Sequence, residues 1–443
     1  MKVTLERLPE SRVLLDIEVE PERLEKSLDA EYRRFASKAR VPGFRPGKAP
    51  RAAIERAMGG PLQLRAGLLD DAIKRLVPDI YNEVLETQDV DAIDQPELEI
   101  VEVEPVRFKA TVPVRPTVEL NDYRSVRVPR EAVEVTAEMV AEQVMLIRRR
   151  HATIVPVDRP VQWNDVITAD VSGTIGGDET SFVDDKDAEF PLREGVEILL
   201  PGLAEAFVGL SKGEAKTVAL TAPDDFRLDR AQGKPLTFTV EVKEVKEEQL
   251  PDEDDELANS VNADEFQTME ALRTRIREDL GRSLTEQTKA RHHQESLDKI
   301  VEGATLDYPK VVVDREIEHI IKDQVGNDRQ GYMSYLQRIG RSDAEFRETF
   351  REAAETRVRR SLVLNRVGEL EKIEPANDEI DAEVEKLVGP MGEDGERFRA
   401  LFAGEEGRQT IRRNLVTQQT FDRISAIAAG EVEAEAEAEE ATA

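Results

Sequence analysis

Cysteine is absent from the 443-residue sequence, and histidine occurs only four times. Without cysteine the chain can form no disulfide, no thiolate nucleophile and no cysteine-ligated zinc site. Four histidines also argue against a histidine-rich metal centre. We therefore expect a protein that holds no metal and needs no cofactor.

Long apolar runs and aromatic residues are also scarce. No stretch approaches the roughly 20 apolar residues that span a bilayer, and the strand-like pattern that begins at Met1 leaves no room for a signal peptide. A membrane is therefore not an expected partner, and we expect a cytoplasmic protein. Aromatic residues make up 5% and charged residues 35% of the chain, which suits long solvated helices. The length predicts two to four domains.

The charge of the chain is strongly negative, with one local exception. A formal net charge of -31 opposes binding to nucleic acid, so DNA is not an expected partner. The segment 33–51 nevertheless contains seven basic residues and no acidic one. Two interpretations remain open, a solvated helix face followed by a turn or an electrostatic footprint for a phosphate backbone. The seven residues are Arg33, Arg34, Lys38, Arg40, Arg45, Lys48 and Arg51.

A loop with two glycines and two prolines, residues 43–50, lies within this basic segment. Its composition predicts a fixed, exposed tip that carries Phe44 and Arg45. An exposed phenylalanine favours a docking function, because an apolar side chain in water gains when a partner covers it. The same loop contains Gly-x-x-x-Gly-Lys, which is one residue short of a P-loop and is followed by Ala49 instead of Ser or Thr. We therefore exclude nucleotide binding at this loop.

The loop sequence Gly-Phe-Arg-Pro-Gly-Lys-Ala-Pro resembles the ribosome-docking signature of the bacterial trigger factor family. The resemblance implies an ATP-independent chaperone that binds nascent and unfolded polypeptides at the exit tunnel. Its partner would be the large ribosomal subunit near the polypeptide exit, through a ribosomal protein and rRNA, and a weak homodimer is also implied. Roles in protein transport, the cell cycle and cell division follow from the same resemblance. The implied ribosome-binding residues are Gly43, Phe44, Arg45, Pro46, Gly47 and Lys48.

The chain as a whole is expected to be an elongated α+β multidomain protein. Strands with period-two alternation lie at both ends of an α+β ribosome-docking domain, residues 1–115. A linker with one helix (116–154) leads to a small β-rich domain (155–246) with short strands and repeated turn signals. An all-α domain (247–430) and an acidic tail (431–443) complete the chain, and the tail is expected to be disordered.

The β-rich domain resembles the FK506-binding type of peptidyl-prolyl cis-trans isomerase. The resemblance rests on the segment 195–214, in which an apolar run and a Pro-Gly turn precede a short amphipathic helix. Amide resonance opposes rotation about an X–Pro bond by ~18–20 kcal/mol, and a dry apolar pocket can lower this barrier without a nucleophile or metal. By the resemblance the catalytic pocket is lined by Val171, Phe182, Phe190, Leu199, Leu200, Leu203, Phe226 and Phe238.

The isomerase resemblance is not complete. Leu203 stands where the stand-alone isomerases carry Trp, and Val171 stands where they carry Tyr. Val183 precedes Asp184, so the usual acidic neighbour is displaced or absent. These departures concern catalytic rate more than fold.

The helical region has no motif of its own, and its histidines are expected at the surface. By resemblance to the family its helices form a cradle for unfolded segments, although we expect most candidate lining residues to serve core packing. These candidates are Met333, Tyr335, Leu336, Ile339, Phe346, Phe398, Leu401 and Phe402. Three alternatives remain: a protein that is primarily a prolyl isomerase, a periplasmic holdase, and an RNA-binding assembly factor without holdase activity.

Overall fold

The computed structural model describes residues 1–45, 47–176, 181–389, 392 and 395–431, and of these it leaves the side chains of 229, 396, 397 and 400 undescribed. Pro46, one of the predicted ribosome-binding residues, and residues 432–443 of the predicted disordered tail lie outside the described residues. The chain forms two compact units, one from residues 1–130 and 289–443 and the other from residues 131–288. None of the described helices is long and apolar enough to span a membrane. Among the described residues, no group of acidic and histidine side chains could hold a metal ion.

The first unit begins with a four-stranded antiparallel sheet in the order β1-β2-β4-β3. The predicted alternation is confirmed, since every second residue of β2 and β4 is buried. Pro21 begins α1 at its first position, where the missing N–H costs nothing. The elements are β1 (Lys2–Leu8), β2 (Arg12–Glu18), α1 (Pro21–Lys38), α2 (Arg51–Ala57), α3 (Pro61–Thr87), β3 (Glu97–Val103) and β4 (Val106–Pro113).

The core of this α+β part lies between the sheet and the helices α1 and α3. Leu15 and Ile17 of β2 and Phe108 of β4 are fully buried. They pack in one cluster with Leu28 of α1 and Ile80 of α3. The buried apolar residues of α1 and α3 therefore face the sheet.

The remainder of the first unit is helical apart from two short strands. Strand β5 pairs with β11, which follows it by almost two hundred residues. The elements are β5 (Thr117–Glu119), the C-terminal half of α7 (Met269–Gly303), β11 (Thr305–Asp307), α8 (Lys310–Val325), α9 (Arg329–Ile339), α10 (Asp343–Glu348), α11 (Arg351–Leu370), α12 (Asn377–Val388), α13 (Gly395–Ala403) and α14 (Glu405–Ala429).

Residues 117–130, predicted as a linker, pack against the helical core through their apolar side chains. Leu120 is buried among side chains of α7, α11 and α14. The backbone N–H of Val128 donates to the carbonyl of Ala428 at 3.0 Å. We call this stretch the connector. Its composition is polar and rich in valine, and for this reason the sequence predicts a linker. The composition cannot show that helices far along the chain cover its apolar residues.

The expectation that the histidines lie at the surface is wrong for His292. This side chain is buried, with Nδ1 2.8 Å from the hydroxyl of Ser425 and Nε2 3.0 Å from the carbonyl of Val128. A carbonyl only accepts, so Nε2 carries a proton. His293 is also largely buried and stacks on Phe421 with ring centroids 5.6 Å apart, and its burial lowers its pKa.

The second unit contains a five-stranded antiparallel sheet in which β10 pairs with β6, β7 and β9. Val144 of α4 packs against Leu257, Phe266 and Leu272, outside the sheet's own core. The elements are α4 (Ala137–Arg150), β6 (Thr153–Pro156), β7 (Asp165–Ile175), β8 (Ser181–Pro191), α5 (Leu203–Phe207), β9 (Ala215–Thr221), β10 (Pro235–Gln249), α6 (Asp255–Asn262) and the N-terminal half of α7.

A buried carboxylate fixes the connector to the helices. Glu371, at the end of α11, has 4% of its side chain exposed. It accepts hydrogen bonds from Tyr123 at 2.6 Å, Arg124 at 2.7 Å and Arg423 at 2.9 Å. Burial disfavours the charged form, but these three donors outweigh it and hold the pKa of Glu371 below its ordinary value.

We predict that Glu371→Gln lowers the free energy of unfolding by about 1–3 kcal/mol at pH 7, because charge-assisted hydrogen bonds are lost. The pKa of Glu371 is lower in the folded state than in the unfolded state, where it is about 4.3. The charged carboxylate therefore stabilises the folded protein fully above pH 4.3, and this contribution is lost as the pH falls through the folded-state pKa. Urea denaturation at pH 7 and pH 3.5 should therefore show a difference from wild type that narrows in acid.

The matched control is Glu369→Gln, two residues before Glu371, which removes an exposed carboxylate that pairs with Arg366. Exposed pairs contribute about 0–1 kcal/mol. Equal effects of the two substitutions, or a difference for Glu371→Gln that does not change with pH, would contradict the role given to this network.

Candidate functional site

An apolar cavity of about 420 Å³ opens on the sheet of the second unit. Strands β8 and β10, the turn before α5 and the segment after β9 supply its walls. Four of the eight predicted catalytic residues line it, namely Phe182, Leu199, Phe226 and Phe238. The other lining residues are Val183, Glu197, Pro201, Pro223, Asp225, Arg227 and Leu228.

Three phenylalanines form the apolar wall of this cavity. Phe182 meets Phe238 edge to face with ring centroids 5.7 Å apart, and it meets Phe226 in the same way at 6.5 Å. Phe238 is fully buried by the alternation of β10, whereas Phe182 and Phe226 are partly exposed. Edge-to-face pairs hold the rings in fixed orientations, so the cavity is preformed and apolar.

Gly173 of β7 makes this arrangement possible. A Cβ atom at this position would lie 2.9 Å from Cε1 of Phe238 and 3.0 Å from Cε1 of Phe182. Any side chain would therefore displace both rings. The only feature of the sequence that could have indicated this role is a glycine in the interior of a strand, which often marks a place where another group packs closely against the backbone.

Leu199 reaches the cavity from a strained turn. Its φ angle is 58°, in the left-handed region that few non-glycine residues adopt. The flanking residues Ile198 and Leu200 form an isolated bridge, so the chain reverses at Leu199 and leaves its side chain 42% exposed. Strain of this kind persists only where the surroundings impose it.

The other four predicted catalytic residues do not line the cavity. Val171, Leu200 and Leu203 are at most 1% exposed and lie in the core cluster behind Phe238. Phe190 belongs to the same cluster and stacks on Phe207 at 6.0 Å. These residues support the cavity from behind: Val171 and Phe190 lie on strands, Leu203 lies in the first turn of α5, and Leu200 lies in the turn that precedes it. Their catalytic role stays a prediction.

The charged side chains at the rim were not predicted. Glu197, Asp225 and Arg227 are exposed at the mouth, and the described residues provide no ion-pair partner for them. Asp225 lies in the Pro-Asp-Asp-Phe sequence that follows β9, the only signal that could have identified it. With an apolar interior and no nucleophile in its lining, the cavity can bind a proline ring and favour a twisted amide.

The loop of residues 43–50, for which the sequence predicts docking, lies between α1 and α2. Gly43 and Gly47 have φ angles of 86° and 76°, and a Cβ at Gly47 would lie 3.0 Å from the carbonyl oxygen of Ser37. The N–H of Lys48 donates to the carbonyl of Arg45 at 3.0 Å and closes the turn. Phe44 is 45% exposed, and Arg45 is also exposed.

The basic residues around this loop fall into two groups. Arg34 pairs with Glu31 at 2.7 Å, and Arg51 pairs with Glu55 at 3.0 Å while it stacks on Tyr32. The other five are exposed and form no ion pair within the described part of the chain. They are Arg33, Lys38, Arg40, Arg45 and Lys48.

The candidate cradle residues divide by exposure, so the expectation that most serve the core is only half right. Leu336 and Phe346 are buried, and Tyr335 and Phe402 are partly buried. The other four remain available to a partner: Met333 is 51% exposed, Ile339 36%, Phe398 39% and Leu401 65%.

Three family models match successive parts of the chain. A model described as bacterial trigger factor protein matches residues 1–147, and one described as its C-terminus matches residues 268–426. A model of FKBP-type peptidyl-prolyl cis-trans isomerase matches residues 157–243.

Two relatives illustrate the similarity in sequence. The trigger factor of Caldicellulosiruptor bescii is 32% identical over 96% of both chains. That of Moorella thermoacetica is 33% identical over 90% of this chain and 89% of its own. A solved structure described as concerning substrate recognition by the trigger factor chaperone covers 96% of this chain and 99% of its own at 22% identity, with a TM-score of 0.47.

We predict that Gly173→Ala lowers kcat/KM for a short X-Pro peptide at least tenfold, because the added methyl displaces Phe182 and Phe238. Overpacking of this kind costs about 1–3 kcal/mol of stability, so folding is checked by thermal denaturation. Ser172→Ala, at the neighbouring position on the opposite face of β7, is the control and should leave turnover unchanged. Wild-type turnover in a folded Gly173→Ala protein would contradict the preformed cavity.

Proposed function

This chain belongs to the bacterial trigger factor family and carries an FKBP-type peptidyl-prolyl isomerase domain, and we propose that it docks on the ribosome through the loop 43–48. The observation that carries this proposal is the exposed pair Phe44 and Arg45 among five basic side chains with no acidic partner in the described chain. An exposed aromatic ring can fill an apolar pocket, and a guanidinium can bind phosphate or carboxylate in two places at once.

The partner at this loop is the large ribosomal subunit near the polypeptide exit. The unpaired cations suit the phosphate backbone of rRNA, and Phe44 suits an apolar pocket on a ribosomal protein. The remaining surface repels rRNA because the chain carries a net charge of -31. The loop therefore sets the orientation in which the protein binds, and the rest of the molecule faces away from the nucleic acid.

The exposed side chains of the helical part supply the proposed surface for nascent and unfolded polypeptides. Met333 on α9 and Leu401 on α13 are each more than half exposed. Apolar contacts of this size are weak singly and add over a long chain. Clients can then leave without nucleotide hydrolysis, which agrees with the rejection of the P-loop interpretation.

Isomerisation is assigned to the cavity lined by Phe182, Phe226 and Phe238. The proline ring of a client would lie against these rings, and Leu199 would contact the residue before the proline. The rings exclude water from the amide, which removes hydrogen bonds that favour the planar form. We place these events in the cytoplasm. The proposal also includes weak homodimers and roles in protein transport and cell division.

We predict that Phe44→Ala combined with Arg45→Ala weakens binding to purified ribosomes by roughly 30-fold, the effect of losing a binding hot spot of about 2 kcal/mol. Co-sedimentation at physiological salt measures this binding. Isomerase turnover should not change, because the substitutions lie outside the second unit.

The matched control is Lys26→Ala combined with Leu62→Ala, which removes an exposed cation and a 77% exposed apolar side chain of the same α+β part. This control should bind ribosomes as wild type does. Equal binding by the loop variant would refute docking through the loop. Tight binding to naked rRNA with a steep salt dependence would instead support an RNA-binding factor.

A further inference from the structure

Strand β3 is an edge strand that is open to solvent along its whole length. It lies at the end of the sheet order β1-β2-β4-β3, and in the described part of the chain its only strand partner is β4. All seven residues from Glu97 to Val103 are exposed. An edge strand presents unpaired N–H and C=O groups, which can pair with an additional strand.

One face of β3 continues the apolar core of the sheet. Leu98 lies opposite Ala110 and Ile100 lies opposite Phe108, and both β4 residues are fully buried. Residues directly opposite each other share a face of the sheet. Leu98 and Ile100 therefore extend the apolar face of the sheet beyond its buried part, and they remain 46% and 49% exposed. Val103, 42% exposed, repeats this pattern opposite the buried Val106.

The other face of β3 is acidic. Glu97, Glu99 and Glu102 lie opposite Thr111, Lys109 and Arg107. Arg107 is already engaged, because its guanidinium donates to both carboxylate oxygens of Asp16, at 2.9 and 2.7 Å. No ion pair of the described residues includes any of the three β3 glutamates, and no basic residue occurs in β3 itself. A β-bulge between Ile100 and Glu102 adds one further apolar residue, Val101, which is 43% exposed. On either side of this bulge the free edge is alternately apolar and anionic.

This charge pattern identifies the kind of strand that can pair with β3. A second copy of the chain would bring three further glutamates against these three, and like charges on neighbouring strands are destabilising. A strand with basic residues at alternate positions would neutralise them, while its apolar residues would cover Leu98, Ile100 and Val103.

We propose that β3 binds, by main-chain pairing, an extended segment of an unfolded polypeptide whose side chains alternate between apolar and basic residues. The inference rests on the proposed binding of unfolded chains and adds a second surface to it. Strand addition of this kind obtains affinity from main-chain hydrogen bonds and selectivity from alternate side chains. The exposed helical residues, in contrast, offer apolar contact without a charge pattern.

The test uses the full-length chain and a fluorescent eight-residue peptide that alternates valine and lysine. One comparison peptide has glutamate in place of lysine, and a second has N-methyl groups at alternate amides, which remove the main-chain donors along one edge. Fluorescence anisotropy should show binding at least tenfold weaker for each comparison peptide. Hydrogen exchange should show that the lysine peptide protects the amides of residues 97–103.

The variant is Glu97→Gln, Glu99→Gln and Glu102→Gln combined, and it should bind the lysine peptide at least fivefold more weakly and with a smaller salt dependence. The control combines Glu134→Gln, Glu142→Gln and Glu352→Gln, which removes three other exposed carboxylates, and it should bind as wild type does. Equal affinity for the N-methylated peptide, or no protection of residues 97–103, would overturn the proposal.

Two further outcomes separate this inference from the proposed chaperone function. Met333→Ser combined with Leu401→Ser should reduce suppression of client aggregation and leave peptide binding at β3 intact. If this variant instead loses the peptide, the peptide binds the helical surface, and the β3 proposal fails while the chaperone function stands. Without peptide, the amides of β3 could become protected from hydrogen exchange as the protein concentration rises. This result would assign the edge to a second copy of the chain and would also overturn the proposal.

Discussion

Attachment of the connector, residues 117–130, to the last helices is the constraint on which the first unit depends. Leu120 enters a core built from α7, α11 and α14, and Glu371 accepts hydrogen bonds from Tyr123 and Arg124. These contacts join residues separated by up to about 300 positions in the chain, as in the pairing of Arg130 with Glu431. Because the connector is fixed by the last helices, the α+β part and the helical part form one compact unit, and residues 131–288 form another.

Local pattern was sufficient to predict the strands and helices of the α+β part and the position of β10 in the β-rich domain. The expectation of short strands in that domain is wrong for β7 and β8, which have 11 residues each, and for β10, which has 15. Alternation in β2, β4 and β10 follows from burial of one face of each strand. Pro21 begins a helix, and the glycines of the loop 43–50 form a turn, because of their own backbone conformations. The bounds of the domains were harder, because the connector has the composition of a linker and its partners are distant. His292 illustrates the same difficulty, since its partner Ser425 lies 133 residues away.

The candidate sites show which features of function the sequence contains. The loop with Phe44 is predictable because a short motif holds both its shape and its chemistry. The cavity is only half predictable: alternation identifies Phe238, but it cannot distinguish a residue that lines the cavity from one, such as Leu203, that supports it from behind. The role of Gly173 depends on two rings from other strands, so it appears only when the strands are assembled.

The central claim is that unfolded chains and X-Pro bonds are handled at separate surfaces. The most direct measurement compares two full-length variants, Met333→Ser combined with Leu401→Ser and the single change Phe226→Ala, in two assays. The first variant should lose most of its suppression of client aggregation and keep its turnover of a short X-Pro peptide, and the second should do the reverse. If Phe226→Ala alone abolished both activities in a folded protein, a single site would serve both and the claim would be wrong.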